Sequence, residues 1–224
     1  MILHNQEGRR PRHDPRTTPI TDRSRDPFPG GIAAGLFGAS RCGHRVEALS
    51  SGEVIAETPR LILRRHMATD FPAYFAMSAD PEMARYSGLP PACSDEAWKR
   101  LLRQAGHWSL FGYGFVALEE KATGCFVGET GMADFKRGLG PGFDRVPEAG
   151  WAIARWAQGH GYATEAAAAA LAWMEARFGV RRSVCVIHAE NAASLRVAEK
   201  LGYAPFGTCT YRGYAGIKFE RPRP

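Results

Sequence analysis

The order of apolar and polar positions divides this chain near residue 54. Residues 1–53 are rich in Arg, Pro and Gly and show no apolar period. They read as a flexible extension that adds nothing to a core. Residues 54–224 carry the pattern of one folded domain. Leu61 and Leu63 alternate with other residues between Arg60 and Arg65, which predicts a first strand. Asp70 ahead of Phe71-Pro72 predicts a helix start, and Asp80-Pro81 ends that helix after Ala79. Trp98, Leu101, Leu102 and Ala105 at helical spacing predict a second helix from Ser94 to about Trp108. Strands over 113–119 and 126–133 flank the turn Glu120-Lys-Ala-Thr-Gly124, and a fourth strand covers 148–154. The glycine-rich stretch 135–145 reads as a plain hairpin loop, with glycines that would let it move.

A long helix follows to Phe178. Ala167, Leu171, Met174 and Phe178 form its sheet-facing stripe, and Gly179 caps its end. Residues 181–187 read as a buried fifth strand, and Asn191 opens a last helix running to Lys200. Residues 208–211 and 217–219 close the sheet as a hairpin about Arg212-Gly213. Strand, glycine turn, helix and strand between 148 and 187 make a crossover unit joining two parallel strands. The fold class is therefore mixed α/β.

Composition narrows the class without naming a function. The chain has 224 residues, 45% hydrophobic and 23% charged, as an ordinary globular protein does. No apolar run approaches the length of a membrane span, so no membrane partner is expected. The net charge of +6 is shared evenly between the first fifty residues and the rest. It suits an anionic ligand. No Lys/Arg cluster is interleaved with aromatics, so nucleic acid is not an expected partner. Five cysteines, at 42, 93, 125, 185 and 209, are scattered and odd in number, with neither disulfide nor zinc spacing. Cys125, Cys185 and Cys209 fall in predicted strands and read as inert buried thiols, and no metal site is expected. That usage fits a cytoplasmic protein.

The chemistry concentrates in Gln158-Gly-His-Gly-Tyr-Ala163. Two glycines directly before a long helix let a ligand approach the backbone, and the first free N–H groups of the helix favour an anion. A P-loop would need Gly-Lys-Ser/Thr at its end, whereas Gly161 is followed by Tyr162. A dinucleotide fingerprint would need a third small residue where Thr164 stands, and an acidic residue where Arg181-Arg182-Ser183 stands.

Gln158-x-x-Gly161-x-Ala163 resembles the acyl-CoA loop of the GNAT superfamily of N-acetyltransferases. The runs Gly161-Tyr-Ala-Thr-Glu-Ala166 and Asn191-Ala-Ala-Ser194, the latter continuing to Leu201-Gly-Tyr203, resemble its ribosomal-protein branch, which acetylates N-terminal alanine or serine. Glu57-Thr-Pro-Arg-Leu-Ile-Leu-Arg64 resembles that branch's first strand. The resemblance covers residues 54–219. It implies a mostly antiparallel sheet whose parallel fourth and fifth strands splay around the CoA site. It also implies acetyl transfer from acetyl-CoA directly to a primary amine, either a protein N-terminal α-amine or a small molecule. The oligomer would be a monomer or a homodimer. The rival reading is a non-catalytic acyl-CoA-binding module.

By the same resemblance, Gln158, Gly159, His160, Gly161, Tyr162, Ala163 and Thr164 hold the pyrophosphate. A backbone N–H at Ile153, with Ala154 beside it, meets the thioester carbonyl. Asn191 contacts the pantetheine arm, and it is also a good helix N-cap. An ammonium must lose a proton before it attacks, and the departing thiolate benefits from gaining one. Glu148 stands where the family often places a base. It lies upstream of the thioester and would act through water, unless it is only a strand-end salt bridge to Arg145 or Arg155. Glu129 and His188 stand behind it as candidates. The superfamily's usual acid is a tyrosine at the position of Ala198. Here the available hydroxyl is Ser194, on the inward helix face, although a serine there could also bond its own helix turn.

Overall fold

In the computed structural model, which describes residues 52–222, the alternating stretch at Leu61 becomes the second strand rather than the first. A strand not foreseen precedes it: β1 (Val54–Glu57) pairs antiparallel with β2 (Leu61–Arg64). The predicted extension over 1–53 lies, but for its last two residues, outside the described part. A short 3₁₀ turn, Ala68–Asp70, leads into α1 (Phe71–Ala79). Asp70 does not cap that helix with its side chain. Its carboxylate instead takes two hydrogen bonds from Arg64, at 2.7 and 2.9 Å, and one from the Met67 N–H at 2.8 Å. A buried arginine outcompetes the cap. Asp80 then caps the one-turn α2 (Pro81–Ala84) by accepting from the Glu82 N–H.

The third helix, α3 (Ser94–Phe111), runs one turn beyond Trp108 and stops at Gly112, which takes the left-handed conformation with φ 71°. The strands β3 (Phe115–Glu120), β4 (Phe126–Ala133) and β5 (Glu148–Ile153) continue antiparallel. After β5 come α4 (Tyr162–Phe178), β6 (Arg182–His188), α5 (Ala192–Lys200), β7 (Ala204–Tyr211) and β8 (Tyr214–Pro222). The β7–β8 turn sits on Arg212 and Gly213, both at positive φ, as a tight hairpin demands. The sheet order is β1-β2-β3-β4-β5-β6-β8-β7. Every neighbouring pair is antiparallel except β5 and β6. The expected mixed sheet with one parallel pair is thus borne out.

A register shift opposite Leu118–Glu119 makes Val127 the extra residue of a bulge in β4. That bulge decides which residues share a face. Beyond it, Glu129 lies across from Ala152, while Gly128 lies across from Ile153. On one face α4 packs Ala166, Ala167, Leu171 and Met174 against Leu61, Leu63, Val116, Val127, Ala149, Ile153 and Cys185. The fourth member of the predicted stripe, Phe178, is 43% exposed and rests on the Tyr113 and Trp173 rings. The other face receives Tyr74 and Met77 of α1 and Ala97 and Leu101 of α3, packed with Phe126, Ala152 and Ala154.

The glycine-rich loop after β4 is tied down at several points. Asp144 accepts from the N–H groups of Leu139 and Gly140, Arg182 donates to the Gly142 carbonyl, and Lys218 donates to that of Leu139. Phe143 is 3% exposed, an anchor the sequence reading passed over. Cys185 is a buried thiol whose pKa burial pushes up, as expected. Cys125 is buried too, at 6% exposed.

Candidate active site

The site begins where the sheet comes apart. The strands β5 and β6 share one registered pair, Glu148 with Val184, although they are six and seven residues long. Beyond that pair their facing backbone groups have no ladder. Successive residues of a strand aim their N–H and C=O groups alternately at its two neighbours. The Ala154 N–H donates to the Val127 carbonyl at 2.9 Å, on the β4 side. Ile153 therefore aims both of its groups into the gap. Its carbonyl is taken by the Gln158 side-chain amide at 3.0 Å, which leaves its N–H for a ligand. Ala154 has no such freedom, since its carbonyl also accepts from the Ala157 N–H at 2.8 Å. Ala154, expected beside Ile153 at the thioester, thus has both of its backbone groups engaged within the protein.

The glycine turn sits at the mouth of this gap. Gly159 and Gly161 have φ of 84° and 81°, and a β-carbon placed on Gly161 would meet only Arg60 Nη2, at 3.6 Å. Gly161 is the N-cap of α4 and no side chain caps it. The first helical bond is from the Glu165 N–H to the Gly161 carbonyl. The amides of Tyr162, Ala163 and Thr164 are thus the orphan donors of this helix end. Two left-handed glycines and a run of outward amides fit a pyrophosphate. The His160 ring lies over Tyr162 with centroids 5.7 Å apart, and its Nδ1 donates to the Gln158 carbonyl at 3.0 Å.

Arg60 holds this turn, a role the sequence reading did not give it. It donates to the His160 carbonyl at 2.8 Å and to Glu165 at 2.7 Å, and it lies 4.6 Å from the centre of the Tyr162 ring. Thr58 donates to Glu165 as well, at 2.6 Å. Burial raises the Glu165 pKa, but the bonds from Thr58 and Arg60 outweigh it and bring the carboxyl below its usual value. Tyr162 in turn donates its hydroxyl proton to Glu120. The signal for Arg60 was present in Thr58-Pro-Arg60, but its partners lie a hundred residues away.

Across the gap stands α5. Asn191 caps it, its side-chain oxygen accepting from the Ser194 N–H at 3.0 Å, and its NH₂ is left to donate elsewhere. The Ser194 hydroxyl does not bond its own turn. It accepts from the Trp151 indole N–H at 3.3 Å, which ties α5 to β5 across the splay. Accepting that bond leaves the hydroxyl its own proton to give. Ala198, where a tyrosine is usual, is fully buried.

Glu148 is 5% exposed and bonded through both oxygens to Arg137 Nε, at 2.7 and 2.8 Å. Its partner is neither Arg145 nor Arg155. The Arg137 guanidinium lies against the Phe135 and Tyr211 rings, 4.6 and 4.8 Å from their centres. Burial raises the Glu148 pKa more than Arg137 lowers it. His188 packs against the rings of Tyr86 and Tyr214. Its Nδ1 accepts from the Glu190 N–H at 3.1 Å, so a neutral ring carries its proton on Nε2 and that nitrogen donates. This weakens His188 as a base. Among the described residues no group of three or more His, Cys, Asp or Glu side chains is arranged to hold a metal, and no helix is long and apolar enough to cross a membrane.

Comparison with known proteins agrees with this geometry. The family of acetyltransferase (GNAT) domains matches residues 60–204. The uncharacterized protein YkkB of Bacillus subtilis is 35% identical over 157 residues, which are 65% of this chain and 82% of that protein. A solved structure from Bordetella pertussis, assigned to the GnaT acetyltransferase family, is 37% identical with a TM-score of 0.68. It covers 75% of this chain and 99% of its own. The spermidine N-acetyltransferase of Vibrio cholerae, solved with CoA and spermine, is 16% identical with a TM-score of 0.61, over 74% of this chain and 97% of its own. At that identity the likeness is one of fold.

Proposed function

This chain belongs to the GNAT acetyltransferase family, and we propose that it moves an acetyl group from acetyl-CoA directly onto a primary amine. The acceptor is the α-amine of a protein N terminus or a small-molecule amine. The first alternative draws on the motif resemblance to the ribosomal-protein branch. The second draws on the spermidine enzyme among the fold neighbours.

The observation that carries the proposal is the open Ile153 peptide beside an uncapped, glycine-led helix end. When bound, acetyl-CoA supplies a thioester whose carbonyl carbon accepts the amine nitrogen and whose sulfur leaves. In this reading the amides from Gly159 to Thr164 and the Asn191 NH₂ hold the donor. The Ile153 N–H donates to the carbonyl oxygen as charge develops there. Ser194, oriented by Trp151, gives its hydroxyl proton to the departing sulfur. Glu148 lies five residues before Ile153, roughly 17 Å along an extended strand, so it would reach this centre only through water.

The test is release of free CoA thiol from acetyl-CoA across a panel of polyamines, amino-acid-like amines and N-terminal peptides. Turnover with one class of amine supports the proposal and names the acceptor. Binding of acetyl-CoA with no turnover on any of them overturns it.

A further inference from the structure

On the sheet face away from α4, the domain holds a buried polar cluster that the proposed donor site does not use. His66 follows β2, and its side chain is 2% exposed. Neither ring nitrogen has a hydrogen bond. Its Nε2 lies 3.3 Å from a carboxylate oxygen of Glu129 but outside hydrogen-bonding geometry. Gln104 of α3 approaches the same oxygen, its side-chain N–H donating at 3.4 Å. Tyr74 of α1 completes the surround, its ring edge-on to His66 at 5.8 Å. Burial raises the Tyr74 pKa first and the charge of Glu129 raises it further, while Arg100 and Arg103 of α3 act against that. Buried polar atoms are seldom left without partners, which sets this ring apart and asks for a role.

Its position says what. Glu129 pairs with Ala152, the residue next to Ile153, on the face of the sheet opposite α4. Adjacent strands lie about 4.8 Å apart, so the Glu129 backbone stands one strand away from the open peptide. Glu148, on the same face, is four residues further from that point and is already bonded to Arg137. We propose that Glu129 takes the proton of the acceptor ammonium, and that His66 positions its carboxylate. This rests on the reading of the protein as an amine acetyltransferase. The balance is simple. The ammonium loses one proton to the Glu129 carboxylate, which returns it to solvent. The neutral nitrogen then forms the C–N bond as the C–S bond breaks. The nitrogen's second proton passes to solvent as the amide forms, the departing sulfur gains one from Ser194, and Ser194 takes one back from solvent, so one proton is released per turnover.

The experiment uses the full chain with whichever of spermidine or an alanine-initiated peptide it acetylates faster. Glu129→Gln should lower kcat by roughly 10²-fold or more, the usual worth of a general base. Calorimetric affinity for acetyl-CoA and the melting temperature should stay close to parental. Glu129→Asp should retain part of the activity that Glu129→Gln loses, and in Glu129→Gln the rate should climb with pH toward the pKa of the amine itself, where free amine needs no base. A weakly basic amine such as methoxyamine, unprotonated at the assay pH, has no ammonium proton to surrender before attack, so its loss should be far smaller. His66→Phe should lower kcat and displace the pH profile. Two results overturn the inference: a parental kcat and pH profile in Glu129→Gln, or an equal loss for every amine. A wild-type chain that acetylates neither substrate would instead strike at the functional proposal itself.

Discussion

The proposed donor side and the proposed acceptor side of this sheet are built from different materials. On the donor side the working groups are backbone: the Ile153 peptide, two left-handed glycines and the first amides of α4. The proposed acceptor side is built from side chains that meet across the sequence, and they come in polar pairs, two of them ionic. Arg64 meets Asp70, Glu129 meets His66, and Arg137 meets Glu148. Backbone donors are fixed by the fold once the local turn is right. Charged pairs are fixed only if both partners arrive and are kept from water. The donor side should therefore tolerate side-chain change and suffer from backbone change, and the acceptor side the reverse.

The largest effect should come from unpairing the acceptor side. Arg64 and Asp70 are 7% and 5% exposed at the side chain, and the pair fastens the start of α1 to β2. Arg64→Met leaves the Asp70 carboxylate buried with its main partner gone, and removes the bond to Glu119 as well. Breaking one side of such a pair costs about 3–5 kcal/mol. Chemical denaturation should show a loss of that size. A loss under about 1 kcal/mol would mean that water reaches Asp70, and the comparison would fail on this side.

Next comes the backbone of the donor side. Gly161→Val asks a β-branched residue to hold φ near 81°, at a strain of about 1–3 kcal/mol. It also projects a side chain where little but Arg60 is near. If the pyrophosphate sits on these amides, two charge-assisted bonds lost at about 1.5 kcal/mol each weaken acetyl-CoA by roughly 10²-fold. Calorimetric titration reads this directly. Unchanged affinity in a folded variant would remove the phosphate from this turn.

These two sides were not equally legible in the sequence. Gln158 to Ala163 is a local pattern, and its glycines are required by the backbone they form, so motif and geometry coincide. The parallel strands at 148 and 184 followed from the crossover unit between them. The acceptor side had no such pattern. Arg137 and Glu148 are eleven residues apart across a loop, and Arg145 and Arg155 looked equally near. The face that Glu129 takes could not be read from the start of β4 without the Val127 bulge, because one extra residue reverses every later side chain in that strand. The strand β1 was missed because Val54 and Glu57 are exposed and its apolar pattern is only four residues long.

Of comparable size on the rate, though small on stability, is Ser194→Ala. If the hydroxyl gives its proton to the leaving sulfur, kcat should fall by roughly 10²-fold. Acetyl-CoA affinity should hold, because the proposed donor contacts are backbone amides and the Asn191 NH₂ rather than this hydroxyl. The Trp151 indole N–H loses its acceptor, and a neutral bond of that kind is worth about 1 kcal/mol. A variant that melts slightly lower while turning over at the parental rate would take Ser194 out of the chemistry and leave it as a strut between β5 and α5.

The smallest effect is at Asn191, where the two kinds of construction meet in one side chain. Its oxygen caps α5 by accepting from the Ser194 N–H, which is a structural service. Its NH₂ is the group proposed to meet the pantetheine arm. Two substitutions separate these uses. Asn191→Ala removes both and should cost about 1 kcal/mol of stability, as cap removals do. Asn191→Asp keeps an acceptor at the cap and adds a negative charge at a helix N terminus, which is favourable by about 0.3–1 kcal/mol. Its melting temperature should match or exceed the parent, yet it has no N–H to offer the donor. Acetyl-CoA should therefore bind both variants more weakly, by roughly 5- to 10-fold for one neutral hydrogen bond. If Asn191→Asp binds acetyl-CoA as tightly as the parent while Asn191→Ala does not, the weakness of the alanine variant is that of a frayed helix. The pantetheine contact would then belong to the backbone of β5, and the donor side would be built from main chain throughout.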